Sequence, residues 1–288
     1  FLSLGCVSMF VGANKIDFNM VCYYGQRLAI VNYILVSIYL LIVMHQVDIA
    51  MRFGYGLLPS SLFFLYQIIR RHSRVCFGLF FISIFQLFIW GSRGCLLVIL
   101  IFLIFMFIRS IKRRTLLLIV IPACLLLFVL VNMFAADLIS LIDSLPFQTV
   151  KLDKYQKMLA YGIWENSSGR DTIYMYCISL FTANPWGMGI GFWGNLDAID
   201  NLYPHNLFLQ VALEYGLLGL IVGFVFIIHC IRNISKSEDV VRYDMLSLLF
   251  AVMFGRLLVS STYWARPEFW LCVGVFLISS QRRMYIEN

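Results

Sequence analysis

Apolar residues in this chain run in long stretches, and polar residues collect in short clusters between them. Crossing a bilayer takes roughly 20 helical residues. Stretches approaching that length recur through residues 1–134 and again after 205. Such unbroken runs lack the strict alternation of a membrane barrel, so the pattern predicts an all-α, polytopic helical membrane protein. About nine spans fit it: residues 1–12, 28–44, 59–69, 75–90, 95–108, 115–134, 205–230, 245–263 and 269–280. Residues 12–27, with Lys15 and Arg27, read as a polar connection. Pro59 is expected to open the third span, and Pro122 to kink the sixth in a way that neighbouring helices tolerate. The chain begins at Phe1 inside an apolar segment, so further helices are expected to precede it.

The clusters orient the spans. Arg70-Arg71-His72-Ser73-Arg74, Lys112-Arg113-Arg114, the turn with Arg232, Lys236 and Arg242, and Arg282-Arg283 all fall between apolar runs. Basic inter-helix turns mark the cytoplasmic side. This topology places one large loop outside, residues 135–204, between an N-terminal helical region, 1–134, and a C-terminal one, 205–288. The loop leans acidic where the inner turns lean basic, with Asp137, Asp143, Asp153, Glu165, Asp171, Asp197 and Asp200. A loop so long is usually functional. Within it, residues 149–164 have a weak helical pattern suited to the membrane surface. An amphipathic segment to Thr182 and a glycine-rich turn, 184–191, follow.

Composition agrees and removes other classes. Hydrophobic residues make up 61% of the chain and charged residues 13%, with a mean hydropathy of +0.87, which excludes an ordinary soluble domain. The net charge of +7 lies in turns rather than on a basic face with interleaved aromatics, so no nucleic-acid partner is expected. Cys76, Cys95, Cys124, Cys230 and Cys272 sit in or beside apolar runs and read as small core residues. Neither a C-x-x-C pair nor a His/Cys cluster at metal spacing occurs, and neither a metal nor a cofactor is expected.

Several residues invite chemistry, each with a plainer alternative. Gly189-Ile190-Gly191-Phe192-Trp193-Gly194 spells G-x-G-x-x-G, but that string binds dinucleotides only between a strand and a helix. Here it reads as a compact turn that lets the loop close over a site, with Gly189 near substrate. Arg93, at an outer helix end, is either a snorkelling arginine or an anion ligand. Arg170 is a solvated loop arginine or the same. Arg266, beside Glu268, is an ion-pair member or the same. The topology puts all three on one face of the membrane with His205, and clustered guanidinium groups suit a pyrophosphate. His205 is a helix-start residue or a proton acceptor. Glu214 and Arg256, deep in two spans, read as a buried ion pair, with a proton or ion path as the alternative. Gly216, Gly219 and Gly223 read as close helix packing, with Gly219-x-x-x-Gly223 as the small-residue contact.

His205-Asn206, nine residues, then Gly216-Leu217-Leu218-Gly219 resembles the H-[N/S/Q]-x9-G-x-x-G pattern of the O-antigen polymerase and O-antigen ligase superfamily. Ser92-Arg93-Gly94, Gly169-Arg170 and Asn184-Pro185-Trp186-Gly187-Met188-Gly189 also look familial, and the resemblance covers roughly residues 90–280. It implies an inverting, metal-independent glycosyltransferase in the bacterial inner membrane, acting at its outer face on undecaprenyl-pyrophosphate-linked oligosaccharides. By analogy Arg93 and Arg170, with Arg266, hold the donor pyrophosphate. His205 orients or deprotonates the attacking hydroxyl, and Asn206 positions His205 or the substrate. A chain-length regulator and a flippase are the implied partners. A polymerase of O-antigen or capsular repeat units is favoured by the divergent, Phe- and Ile-rich spans, and a ligase onto lipid A-core is the alternative. A transporter is the alternative of another class. It predicts inverted repeats and broken helices, and neither is visible in the sequence.

Overall fold

The computed structural model describes residues 2–14, 16–43, 49–89, 93–110, 170–192, 204–259 and 261–278. The expected sixth span, the surface helix at 149–164, Ser92, Gly169, Trp193-Gly194 and the basic clusters at 112–114 and 282–283 lie outside the described residues. Among the described residues the chain is all helical, with no strand. Its helices are α1 (Leu2–Ala13), α2 (Phe18–Val43), α3 (Ile49–Arg71), α4 (Arg74–Ile89), α5 (Arg93–Ser110), α6 (Arg170–Ala183), α7 (Leu207–Ser235), α8 (Val240–Val259) and α9 (Pro267–Val273). A 3-10 turn, Tyr263–Ala265, joins α8 to α9, and α9 passes into a π-helical turn, Gly274–Ile278. Residues 18–42 of α2 and all of α7 are long and apolar enough to cross a membrane. Shorter apolar helices cover most of α4, α5 and α6, and Pro267–Leu277. Many large apolar side chains of α2 and α7 are exposed, including Leu41, Ile42, Leu218 and Val222, as lipid-facing helices require.

Three helix starts differ from the sequence expectation: α8 begins at Val240 and takes in Arg242, and α2 and α3 differ by more. α2 begins ten residues earlier, at Phe18, because Asp17 caps it: Asp17 Oδ1 accepts from Asn19 N at 2.9 Å and Met20 N at 3.2 Å. Lys15 lies outside the described residues, and Gln26 and Arg27 are satisfied inside the helix. Arg27 stacks over the Tyr23 ring at 4.0 Å, one turn back. Gln26 donates to Cys22 Sγ. The third helix likewise begins before Pro59 and carries it in its interior.

The chain divides into two compact units, Phe1–Arg27 with Thr172–Asn288, and Leu28–Asp171. In the second, α3 packs against α4 and α5 and buries Phe53, Leu57, Leu62 and Phe64 almost completely. Asn32 of α2 donates to Gly56 O at 2.9 Å and Ser60 Oγ at 2.8 Å, polar links of the kind that join membrane helices. In the first unit, α1 packs against α9 and the π turn. A Cβ on Gly12 would overlap Leu271 O, and one on Gly274 would overlap Met9 O, so the two backbones touch directly. The expected small-residue contact at Gly219 and Gly223 is corrected to this place. The space at Gly219 is closed by Tyr215 and Val211 of its own helix, and a Cβ on Gly223 would meet nothing within 4 Å.

Candidate active site at a broken helix

α6 stops where Pro185 removes the next backbone donor. Gly187 N then bonds Asn184 O at 3.0 Å, closing a turn with proline in its second position and glycine in its fourth. This turn docks on α7 at a break. Gly216, inside α7, has φ 67° and ψ −154°, outside the helical region. In an unbroken helix Leu217 N–H would bond Leu213 O, and Leu218 N–H would bond Glu214 O. Here Met188 N donates to Leu213 O at 2.7 Å and Gly189 N to Glu214 O at 3.1 Å, while Leu217 N donates to Pro185 O at 3.0 Å. The turn therefore substitutes its own backbone for the missing helical bonds. Both sides need glycine. A Cβ on Gly216 would overlap Pro185 O and the Trp186 backbone, and one on Gly187, at φ 92°, would lie 2.7 Å from Gly216 N.

Above the break, α7 starts with an asparagine cap. Asn206 Oδ1 accepts from Phe208 N at 2.9 Å and Leu209 N at 3.2 Å, satisfying two amides that the first helical turn leaves open. Its Nδ2 donates to Leu258 O at 3.4 Å. His205 precedes the cap, half-buried, with φ 52°, in the left-handed region that non-glycine residues seldom occupy. It therefore lies just outside the helix, at the mouth of α7.

Below the cap, Asn206, Gln210 and Glu214 follow at intervals of four and share one face of α7. Gln210 and Glu214 are only 1% and 3% exposed. Gln210 Nε2 donates to Glu214 Oε1 at 3.1 Å and to Thr262 Oγ1 at 2.8 Å. The Glu214 carboxyl also accepts from the Tyr263 hydroxyl and from Trp264 Nε1, at 3.2 and 3.3 Å. With that proton engaged, the Tyr263 hydroxyl oxygen accepts from the Tyr215 hydroxyl at 3.1 Å.

Beside the expected Glu214–Arg256 pair, Arg256 forms an ion pair with Glu268, at 2.8 Å, and the Glu214 carboxyl is met by the three neutral donors. Each acid is compensated within reach, as burial demands. Arg266, at the N-cap position of α9, donates through Nε to Ser261 Oγ. Arg93 and Arg170 are the first residues of α5 and α6, where the helix dipole and open amides favour an anion over a lone cation. Gly189, at φ 95°, has open space where a Cβ would stand. It lines an apolar cavity of about 820 Å³ beside α7, with Trp186, Phe208, Gly223, Trp264 and Trp270, and Glu214 at its wall.

The structure thus brings Asn206, Glu214, Gly189 and the segment carrying Arg266 into one connected unit with His205. Arg93 falls in the other compact unit, and α6, which Arg170 opens, crosses the boundary between them. Sequence reasoning missed Gln210, Tyr263 and Trp264 as partners of Glu214. The four-residue spacing from Asn206 through Gln210 to Glu214 was a signal for the first. The other two carry no local signal, because the chain reaches them 49 and 50 residues later.

The chain matches the family described as O-antigen ligase over residues 78–224, just over half of its length. No curated protein and no solved structure matches. The matched stretch includes Arg93, Arg170, the 184–189 turn, His205 and the break at Gly216. With that match on the same residues that build the interlocked turn and helix, the chain belongs to the O-antigen ligase family, a membrane-embedded class of glycosyltransferase-like enzymes.

Proposed function

We propose that this chain is a polysaccharide polymerase, joining undecaprenyl-pyrophosphate-linked repeat units into O-antigen or capsular polysaccharide at the outer face of the inner membrane, which it crosses repeatedly. The observation that carries this reading is the interlock of the 185–189 turn with the Gly216 break. It joins both glycine motifs of the family to the helix whose mouth holds His205. In this reading His205 orients the acceptor sugar hydroxyl and takes its proton. Asn206 holds that histidine by capping the helix behind it. Arg93 and Arg170, joined by Arg266, bind the donor pyrophosphate, because the guanidinium fork bonds phosphate oxygens in pairs and keeps its charge. Those charges stabilise the diphosphate as it leaves. The hydroxyl attacks the face opposite the leaving group, so the anomeric centre inverts, and no metal takes part. The apolar cavity beside α7 suits the hydrocarbon of a lipid carrier. A flippase would supply the substrate, and a chain-length regulator would act with the polymerase.

The family description favours a second reading, ligation of finished polymer to lipid A-core. One experiment separates the two. Surface glycan and lipid-linked glycan are run on gels from cells lacking the protein, and from the same cells given wild type, His205→Ala or Arg170→Ala. Single repeat units at the surface, with a ladder restored only by wild type, are the expected result. Full-length polymer stranded on the lipid carrier would identify a ligase and overturn the polymerase reading. Both variants are expected to insert in normal amount and give no ladder. A wild-type ladder from either would remove that residue from the site.

A further inference from the structure

Glu214 has no part in the proton transfer assigned to His205, yet three segments of the site converge on it. Its backbone carbonyl takes the Gly189 amide of the docked turn. Its carboxyl oxygens take Tyr263 and Trp264, from the 3-10 turn between α8 and α9. Gln210, one helical turn below Asn206, reaches both Glu214 and Thr262. The same 3-10 turn runs directly into Arg266, whose amide closes on Tyr263 O at 3.3 Å. A carboxyl buried to 3% exposure is costly unless donors meet its oxygens. Simple packing at this point would be served by leucine or methionine. What a carboxyl adds is direction, since two fixed acceptor oxygens set the angle at which a phenol and an indole approach.

We infer that Glu214 is a positioning residue for glycan transfer, acting through Tyr263 and Trp264 to hold the segment that carries Arg266 against the His205 end of α7. This rests on the transferase reading above. Glu214→Gln keeps the size of the side chain but replaces one acceptor oxygen with a donor, which the donor-only indole of Trp264 cannot meet. Tyr263→Phe removes a single hydroxyl and keeps the ring.

The test uses the full chain in membrane vesicles, supplied with lipid-linked glycan extracted from cells that lack the protein. Wild type, Glu214→Gln, Tyr263→Phe, the double variant and His205→Ala are compared, with protein amount measured by immunoblot. Glu214→Gln is expected to lower kcat at least about tenfold, with KM for the extracted glycan within about twofold. Tyr263→Phe should lower kcat less, and the double variant no further than Glu214→Gln, because both changes break one contact. Wild-type kcat in Glu214→Gln, a loss confined to KM, or losses that multiply in the double variant would each overturn the inference. If Glu214→Gln fails to accumulate, Tyr263→Phe decides alone, and wild-type kcat there overturns it. Full activity in His205→Ala, or none in wild type, would instead sink the transferase reading.

Discussion

α3 and α7 each carry a residue known for ending helices, and only one of them is broken. α3 has proline at position 59, which removes a backbone donor, and it continues through Arg71. α7 has no proline and breaks at Gly216. The difference lies in what surrounds the two points. Around Pro59, Leu57, Ser60, Ser61 and Leu62 are essentially fully buried, and Asn32 engages Gly56 O and Ser60 Oγ from α2. Packing holds the helical path, and one lost bond, worth about 1 kcal/mol net, is tolerated. At Gly216 a second stretch of backbone offers two donors and an acceptor in place of the helical ones. A helix in an apolar surrounding opens where replacement partners exist, and a residue's reputation as a helix breaker is secondary.

The sharpest way to break this contrast is Gly216→Ala. At φ 67° and ψ −154° a side-chain-bearing residue is strained by about 1–3 kcal/mol, and the new Cβ would also overlap Pro185 O and Trp186. The turn should be expelled, with glycan output lost and the thermal midpoint of the purified protein lowered. Normal output would show that the interlock is dispensable. Gly187→Ala should act more mildly, because the turn can lift without rebuilding a helix. Its output is expected to fall about tenfold while immunoblots show wild-type amounts. Pro59→Ala should do least, a change within about 1 kcal/mol in thermal unfolding and a full glycan ladder. A large loss there would mean that Pro59 shapes α3 in a way its buried flanks do not reveal.

The helices were most legible at α4 and α5, where apolar runs met basic ends. The fourth and fifth spans were expected at 75–90 and 95–108, and α4 and α5 occupy Arg74–Ile89 and Arg93–Ser110. Hydropathy failed at α2 because Gln26 and Arg27 look like loop residues until their partners, four positions back, are counted. The asparagine and the glycines of the family pattern were visible as a spacing. That spacing says nothing of a break, since glycine within an apolar helix equally marks close packing. The hydrogen-bond donors around Glu214 were overlooked for a related reason. Two opposite charges in neighbouring spans suggest a pair, and Pro267, which starts α9, also brings Glu268 round to Arg256. Glu214 meets neutral hydrogen-bond donors that no charge count would find.

The docking of residues 185–189 on Gly216 also bears on descent. Two short motifs, 29 positions apart from Gly187 to Gly216, form a single unit of inheritance, because neither can gain a side chain at its glycine without displacing the other's backbone. Among related chains the two glycines should therefore be kept or lost together. A relative that has replaced only one of them should show a compensating change in the turn or a straight helix in place of the broken one.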